Sequence, residues 1–353
     1  RQTDRQTDRQ TDRQTDRQID RQIDRQNNSI DVAKLLMSLV VVAIHTNPLA
    51  NLNNEDAIIL FDKFVNIAVP FFFIASGYFL AKKIIMPICN ENVRVIKKYL
   101  AKILKMYIFW MLLYTPLEIY HFIKSGTPII KELMLYARGL FFFGQQYNSW
   151  QLWYLLSVIY SLCFLIVLSK IRKIKIVDLI VLSSMFTVIS FGIDCFVGVD
   201  INVGHIKTFQ SLVKNLIANG RLFQGMVYIP IGMILAKNKI PRLINVLLCA
   251  CGTILLIISN NVIVNSYTVI VLVVGLFGII EEVKLSDNNI YCYFRKMSTV
   301  IFLIHMYVWT AYCCMIYGER TYGFDCFFVT SIVSLIIACV VVNFSRLNTR
   351  KST

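Results

Sequence analysis

Lys34 and His45 sit eleven residues apart in a stretch that otherwise suits lipid, IDVAKLLMSLVVVAIHTNPLA. At 100° per residue, eleven steps return to within about 20° of the start, so the two share one helical face. Ser38 and Val41 fall between them on that face, which makes a polar seam about 16 Å long on an apolar cylinder. Such a seam faces the interior of a bundle. Imidazole can take a proton from a hydroxyl or accept an acyl group itself, and an ionisable residue inside a membrane marks a cavity or a proton path. For His45 the rival is a hydrogen-bonded core residue; for Lys34 it is a lysine that snorkels to the interface.

Other polar groups stand at chemically suggestive spacings. Arg94, Lys98, Lys102 and Lys105 recur at i, i+4, i+8 and i+11 in RVIKKYLAKILKMYIFW, a basic stripe whose last two members fall inside the bilayer boundary. A stripe like this suits an anionic ligand carrying several phosphates, or a helix resting on anionic headgroups. Glu118 lies one turn before His121, placed either to orient a proton transfer or to sit solvated. His305, seven residues after Ser298 on the same helical face, reads first as a core histidine at mid-membrane depth. His205 falls in a polar loop and carries no signal. Trp150, Trp153 and Tyr154 begin another span, where they form an interfacial aromatic belt or wall a sugar cleft. The ten cysteines show no CxxC pair and no histidine at ligand spacing, so they read as small core hydrophobes and no metal is expected.

These residues need a membrane-embedded scaffold to position them. The 353-residue chain is 56% hydrophobic and contains apolar runs long enough to cross a hydrocarbon core of roughly 30 Å. Ten spans are expected, at 30–49, 64–81, 99–119, 150–169, 176–193, 222–236, 243–259, 262–280, 298–317 and 326–344. The fold class is therefore all-α and polytopic. With the N-terminus inside, cytoplasmic segments hold 25 Lys and Arg against 8 in outer loops, or 18 against 8 without the N-terminal repeat. Both termini are expected in the cytoplasm. Positive-inside asymmetry accounts for the net charge of +15, and no nucleic-acid partner is needed. Residues 133–143 are too short to span and read as a re-entrant or interfacial piece.

Residues 1–28 form a separate region, a tail that reads RQTD four times and RQID twice. Tightly alternating charges leave it no apolar face, so it is expected to be disordered. A repeated AGAC unit encodes Arg-Gln-Thr-Asp in one frame, and a four-base unit shifts the frame when gained or lost. The expectation is a slippage-controlled on/off switch, with the start codon upstream of the tract. The competing reading is a tail without function, or an over-extended gene. Residues 29–345 make the transmembrane domain, and 346–353 a short basic cytoplasmic tail.

The ordered motifs NSIDVAKLLMSLVVVAIHT, VPFFFIASGYFLAKK, KKYLAKILKMYIFW, QLWYLLSVIYSL, YIPIGMILAK and STVIFLIHMYV resemble the acyltransferase-3 family of bacterial ten-helix membrane proteins. The subgroup also resembles the membrane part of membrane-bound serine racemases. This resemblance implies transfer of an acyl group, commonly acetyl from cytoplasmic acetyl-CoA, to a hydroxyl of an extracytoplasmic glycan or envelope polymer at the inner membrane. It places the catalytic histidine at His45. The family's basic residue eleven positions earlier, usually arginine, falls on Lys34, which keeps the charge and loses the bidentate fork. Its basic motif falls within Arg94 to Lys105, and Gly77 of the SGY at Ser76 to Tyr78 favours close helix packing. Cofactor contacts are thus expected at Lys34, Arg94, Lys98, Lys102 and Lys105, and acceptor or proton-relay roles at Glu118, Trp153, Tyr154 and His305. The rival from another class is a transporter of a small polar solute such as an amino acid, which would use the seam as a permeation path.

Overall fold

The computed structural model describes residues 28–200, 203–217 and 221–351; the repeat tract and its frame switch lie outside these. The described residues form thirteen α-helices. They are α1 (Asn28–Thr46), α2 (Glu55–Val65), α3 (Ala68–Lys82), α4 (Val93–Ser125), α5 (Ile129–Arg138), α6 (Trp153–Ile171) and α7 (Ile176–Gly198). Then come α8 (Gly204–Ile217), α9 (Gln224–Lys237), α10 (Arg242–Ile258), α11 (Val262–Glu282), α12 (Ile290–Ile316) and α13 (Phe324–Lys351). Extended pairing among the described residues is confined to a bridge between Ile88 and Ile174.

Each expected span coincides with a helix, and eight of them are long and apolar enough to cross a membrane: α1, α2 with α3, α4, α6, α7, α11, α12 and α13. The protein is a polytopic membrane protein. The other two, α10 with 17 residues and α9 with 14, are shorter. At 1.5 Å per residue α9 reaches only about 21 Å. Protein covers it instead of lipid, because it packs on α3, α6 and α7 and is buried almost throughout from Gly225 to Leu235. Two helices were not legible as such. α2 precedes the second span, with an Asn54 side-chain cap on Ala57, and α8 occupies the loop assigned to His205.

Glycines set the closest approaches. A Cβ on Gly77 of α3 would overlap the Ile229 carbonyl of α9, and one on Gly232 of α9 would overlap the Ile74 carbonyl of α3. The two helices therefore touch backbone to backbone, as small residues permit where lipid offers no hydrophobic drive for association. The packing expected of Gly77 is present.

α1 and α12 run alongside each other in the same direction. At one end the Asp31 carboxylate, with no exposed surface, receives Arg295 Nε at 2.9 and 3.0 Å and Nη2 at 2.6 Å. In the middle Val42 packs on Met297 and Ile301. At the other end the Gly323 N–H, just beyond α12, donates to the Thr46 carbonyl at 3.0 Å. These three contacts fix the register of the two helices.

Candidate functional site

The register brings two histidines together. His45 is half-buried near the end of α1, and its ring stacks on that of His305 with centroids 5.2 Å apart and planes at 27°. His305 has no exposed surface. Its Nδ1 lies 3.1 Å from the Ile301 carbonyl, which can only accept, so Nδ1 carries the proton. Nε2 of the neutral ring is then an acceptor, buried and without a hydrogen-bond partner among the described residues. Ser298, Ile301, His305 and Trp309 form one wholly buried face of α12.

Tyr114 and Gln151 hold that face in place. The Tyr114 hydroxyl donates to the Leu303 carbonyl at 2.8 Å and accepts from the Tyr307 N–H at 3.1 Å, bridging the turn that carries His305. Gln151 Nε2 donates to both the Tyr114 oxygen and the Leu303 carbonyl, each at 2.7 Å.

Above the imidazoles lies an aromatic wall with a cation in it. Trp150 tilts against His45 at 5.8 Å and meets Trp309 edge-on at 6.1 Å. The Arg320 guanidinium stacks over Tyr147, Trp150 and Trp309 at 4.6, 5.2 and 5.3 Å. It donates from Nη1 to the Tyr147 carbonyl at 2.9 Å and from Nη2 to Asn148 Oδ1 and Thr310 Oγ1. Burial under these rings pulls the guanidinium below its ordinary range, against the smaller opposing effects of Tyr147 and Glu118. Arg221, likewise lowered by burial, lies over Trp153 at 5.7 Å. Both arginines are near enough for their charges to act on His45.

Glu118 joins this wall from α4. Its Oε1 accepts the Asn148 N–H at 2.8 Å, and the Asn148 side chain links on to Arg320. Its Oε2 is buried without a hydrogen-bond partner among the described residues. The expected neighbour His121 instead stacks on Tyr147 at 3.5 Å, on the outer side of the same arginine. Tyr154 points away from the imidazoles, into the core, where its hydroxyl meets Ser76 Oγ at 2.7 Å and the Phe72 carbonyl at 3.2 Å. Residues 133–143 form part of α5 and a single π-helical turn, Gly139–Phe143, secured by Tyr107 donating to the Leu140 carbonyl at 2.7 Å.

The opposite end of the seam is cationic. Lys34 Nζ and the Arg295 guanidinium both lie 5.8 Å from the Phe79 ring, and Lys82 Nζ lies 5.1 Å from that of Tyr78. Lys237 donates to the Ile84 carbonyl at 2.7 Å and feels the charge of Lys82. Ser38 and Val41, between Lys34 and His45, are buried, so the seam does face the interior. Arg94, Lys98, Lys102 and Lys105 do not join this end's interior. They are exposed on α4, on the side opposite Ile96, Ile103, Tyr107 and Tyr114, which pack into the bundle.

Residues 27–344 match the acyltransferase domain of the acyltransferase-3 family. The chain belongs to that family. Its curated relatives include an amino-acid racemase of Enterococcus faecalis, 35% identical over 125 residues, or 35% of this chain and 17% of the relative. A second amino-acid racemase of Enterococcus faecalis is 26% identical over 59% of this chain and 27% of its own length. A serine/alanine racemase of Enterococcus gallinarum is 25% identical over 61% of this chain and 30% of its own. The matched region thus spans less than a third of each of these relatives. No solved structure matches the chain. Within the acyltransferase-3 frame, sequence reasoning missed Arg320, Trp309, Asn148, Gln151 and Tyr114. Trp309 had a signal, since it stands one turn from His305; Arg320 offered only a lone cation in a cation-poor loop.

Proposed function

We propose that the protein is an integral-membrane O-acyltransferase, moving an acetyl group from cytoplasmic acetyl-CoA to a hydroxyl on a surface glycan or envelope polymer. One observation carries this reading: a part-buried imidazole, His45, backed by a wholly buried one and walled by aromatic rings, joined by a buried seam to a cationic end. The charge asymmetry of the loops supports assigning the Lys34 end to the cytoplasm of a bacterial inner membrane. Lys34 and Lys82, gathered around Phe79 and Tyr78 beside the Asp31-paired Arg295, fit the phosphates of a nucleotide-bearing thioester, which would supply an activated acyl carbonyl.

His45 takes the proton of the acceptor hydroxyl as its oxygen attacks the thioester carbonyl carbon. A carbon–oxygen bond forms, the carbon–sulfur bond breaks, and the proton leaves on the departing sulfur. Positioned base catalysis of this kind contributes roughly 10²–10⁴-fold. His305 keeps the His45 ring in plane through the stack. Trp150 and Trp153, both only part-buried, offer faces on which a sugar ring can lie, while Arg320 and Glu118 set the polarity of that wall. The repeat tract supports a phase-variable surface antigen as the acceptor.

The test is mass spectrometry of surface glycans from cells expressing wild type or His45→Ala at matched membrane levels. One acetyl increment per modified sugar in the wild type alone is expected. Glycans without acyl groups in both strains, across several acceptor backgrounds, overturn the reading and make solute flux in vesicles the next measurement.

A further inference from the structure

The seam and its histidines leave one strongly charged feature unused, the basic start of α4. Arg94, Lys97, Lys98, Lys102 and Lys105 are all exposed there, about 90–180° around the helix from the face that packs. No acidic residue occurs between Val93 and Leu117, so the helix itself supplies no countercharge. Arg94 with Lys98, and Lys98 with Lys102, are like charges at i, i+4, a spacing that disfavours an isolated helix. An anionic surface beside the helix would relieve that repulsion.

Helix length says what lies outside. The 33 residues of α4 extend about 50 Å, some 20 Å more than the hydrocarbon core requires. The last twenty residues, Met106–Ser125, cover that core by themselves, at about 30 Å. On the exposed side they carry Ile108, Phe109 and Leu112, apolar groups suited to acyl chains. Residues 93–105, about 20 Å of helix, then enter the headgroup layer and run out beyond it, since that layer is only about 5–8 Å deep on each side. Lys102 and Lys105 lie within it, and the same side changes from cationic to apolar where it ends. The Ile88–Ile174 bridge ties this helix start to the turn after α6, adding exposed Lys170 and Lys173 at the same end.

We infer that the basic side of α4 is a docking surface for anionic phospholipid headgroups of the adjoining leaflet, and is not a clamp for the donor's phosphates. A cation at an anionic bilayer surface contributes about a fivefold bias, screened by salt. The inference stands apart from the proposed chemistry, because its readouts need no turnover.

The experiment uses the full chain in detergent, as wild type and as Arg94→Gln/Lys97→Gln/Lys102→Gln/Lys105→Gln, with Lys102→Gln/Lys105→Gln as a milder second variant. Thermal unfolding is followed after adding phosphatidylglycerol, phosphatidylcholine or CoA, and retained lipids are counted by native mass spectrometry. Wild type is expected to gain several degrees more from phosphatidylglycerol than from phosphatidylcholine and to retain the former at least fivefold over the latter. Raising NaCl should erase the difference. Both variants should lose the preference in proportion to the charges removed, with any shift from CoA unchanged. Equal responses of wild type to the two lipids, or a wild-type preference in the fourfold variant, overturn the inference. Loss of the CoA shift with the lipid preference intact also overturns it, and assigns the stripe to the donor.

Discussion

The Asp31–Arg295 pair should be costly to break from one side, because it helps to set the register that brings two histidines together. His45 lies fourteen residues beyond Asp31, about 21 Å along α1, and His305 ten residues beyond Arg295, about 15 Å along α12. Asp31→Ala removes a carboxylate of no exposed surface from a guanidinium that donates to it three times. Breaking a buried ion pair on one side costs about 3–5 kcal/mol. Since the Arg295 side chain is 21% exposed, the lower end applies, about 3 kcal/mol. With an unfolding entropy of roughly 2.1 cal/mol/K per residue over the membrane domain, Tm falls by about 4–5 °C. Size-exclusion chromatography of heated, detergent-solubilised protein reads that shift. Replacing both partners, as Asp31→Leu with Arg295→Met, should recover most of it, since an apolar pair leaves no buried charge. An Asp31→Ala protein melting within 1 °C of wild type, or a double variant worse than the single, would refute the reasoning.

Four further outcomes follow from the geometry. Gly232→Val drives a side chain into the Ile74 carbonyl, so it should cost at least about 1–3 kcal/mol and reduce the yield of monodisperse protein, whereas Gly192→Ala, in open space, should leave yield unchanged. Tyr114→Phe keeps the ring but removes the hydroxyl that bridges Leu303 and Tyr307; about 1–3 kcal/mol of stability should be lost, read as a lower Tm, together with transfer activity. His305→Phe retains an aromatic plate behind His45 and should keep most of the transfer activity at unchanged Tm; a loss as large as about 10²-fold would refute a purely stacking role and give His305 a part in proton transfer. Arg320→Gln abolishes stacking on three rings, worth about 0.5–2 kcal/mol, and should change tryptophan fluorescence while raising KM for the acceptor more than it lowers kcat.

Hydropathy located the spans because lipid imposes a minimum length on apolar helices, and it placed Lys34 and His45 on one face because that follows from 3.6 residues per turn. The contact between His45 and His305 was not legible. Periodicity assigns a residue to a side of its own helix but says nothing of which helix stands opposite, or at what height. Asp31 and Arg295, 264 residues apart, decide that height. The basic spacing of α4 was likewise readable, but its direction was not, since the apolar residues beside it were equally able to face lipid or protein. Burial of Ile96, Ile103 and Tyr107 turned the cations outward. α2 and α8 escaped notice because short amphipathic helices in connecting segments resemble polar loops.

Purified protein reconstituted in vesicles, given acetyl-CoA on one side and a hydroxyl-bearing glycan on the other, tests the central claim most directly. Wild type should release free CoA in step with acetylated glycan, and His45→Ala should release neither above background at equal reconstitution. Equal CoA release by the two proteins, or acetylated glycan formed by His45→Ala at the wild-type rate, would contradict the assignment of His45 as the transferring base.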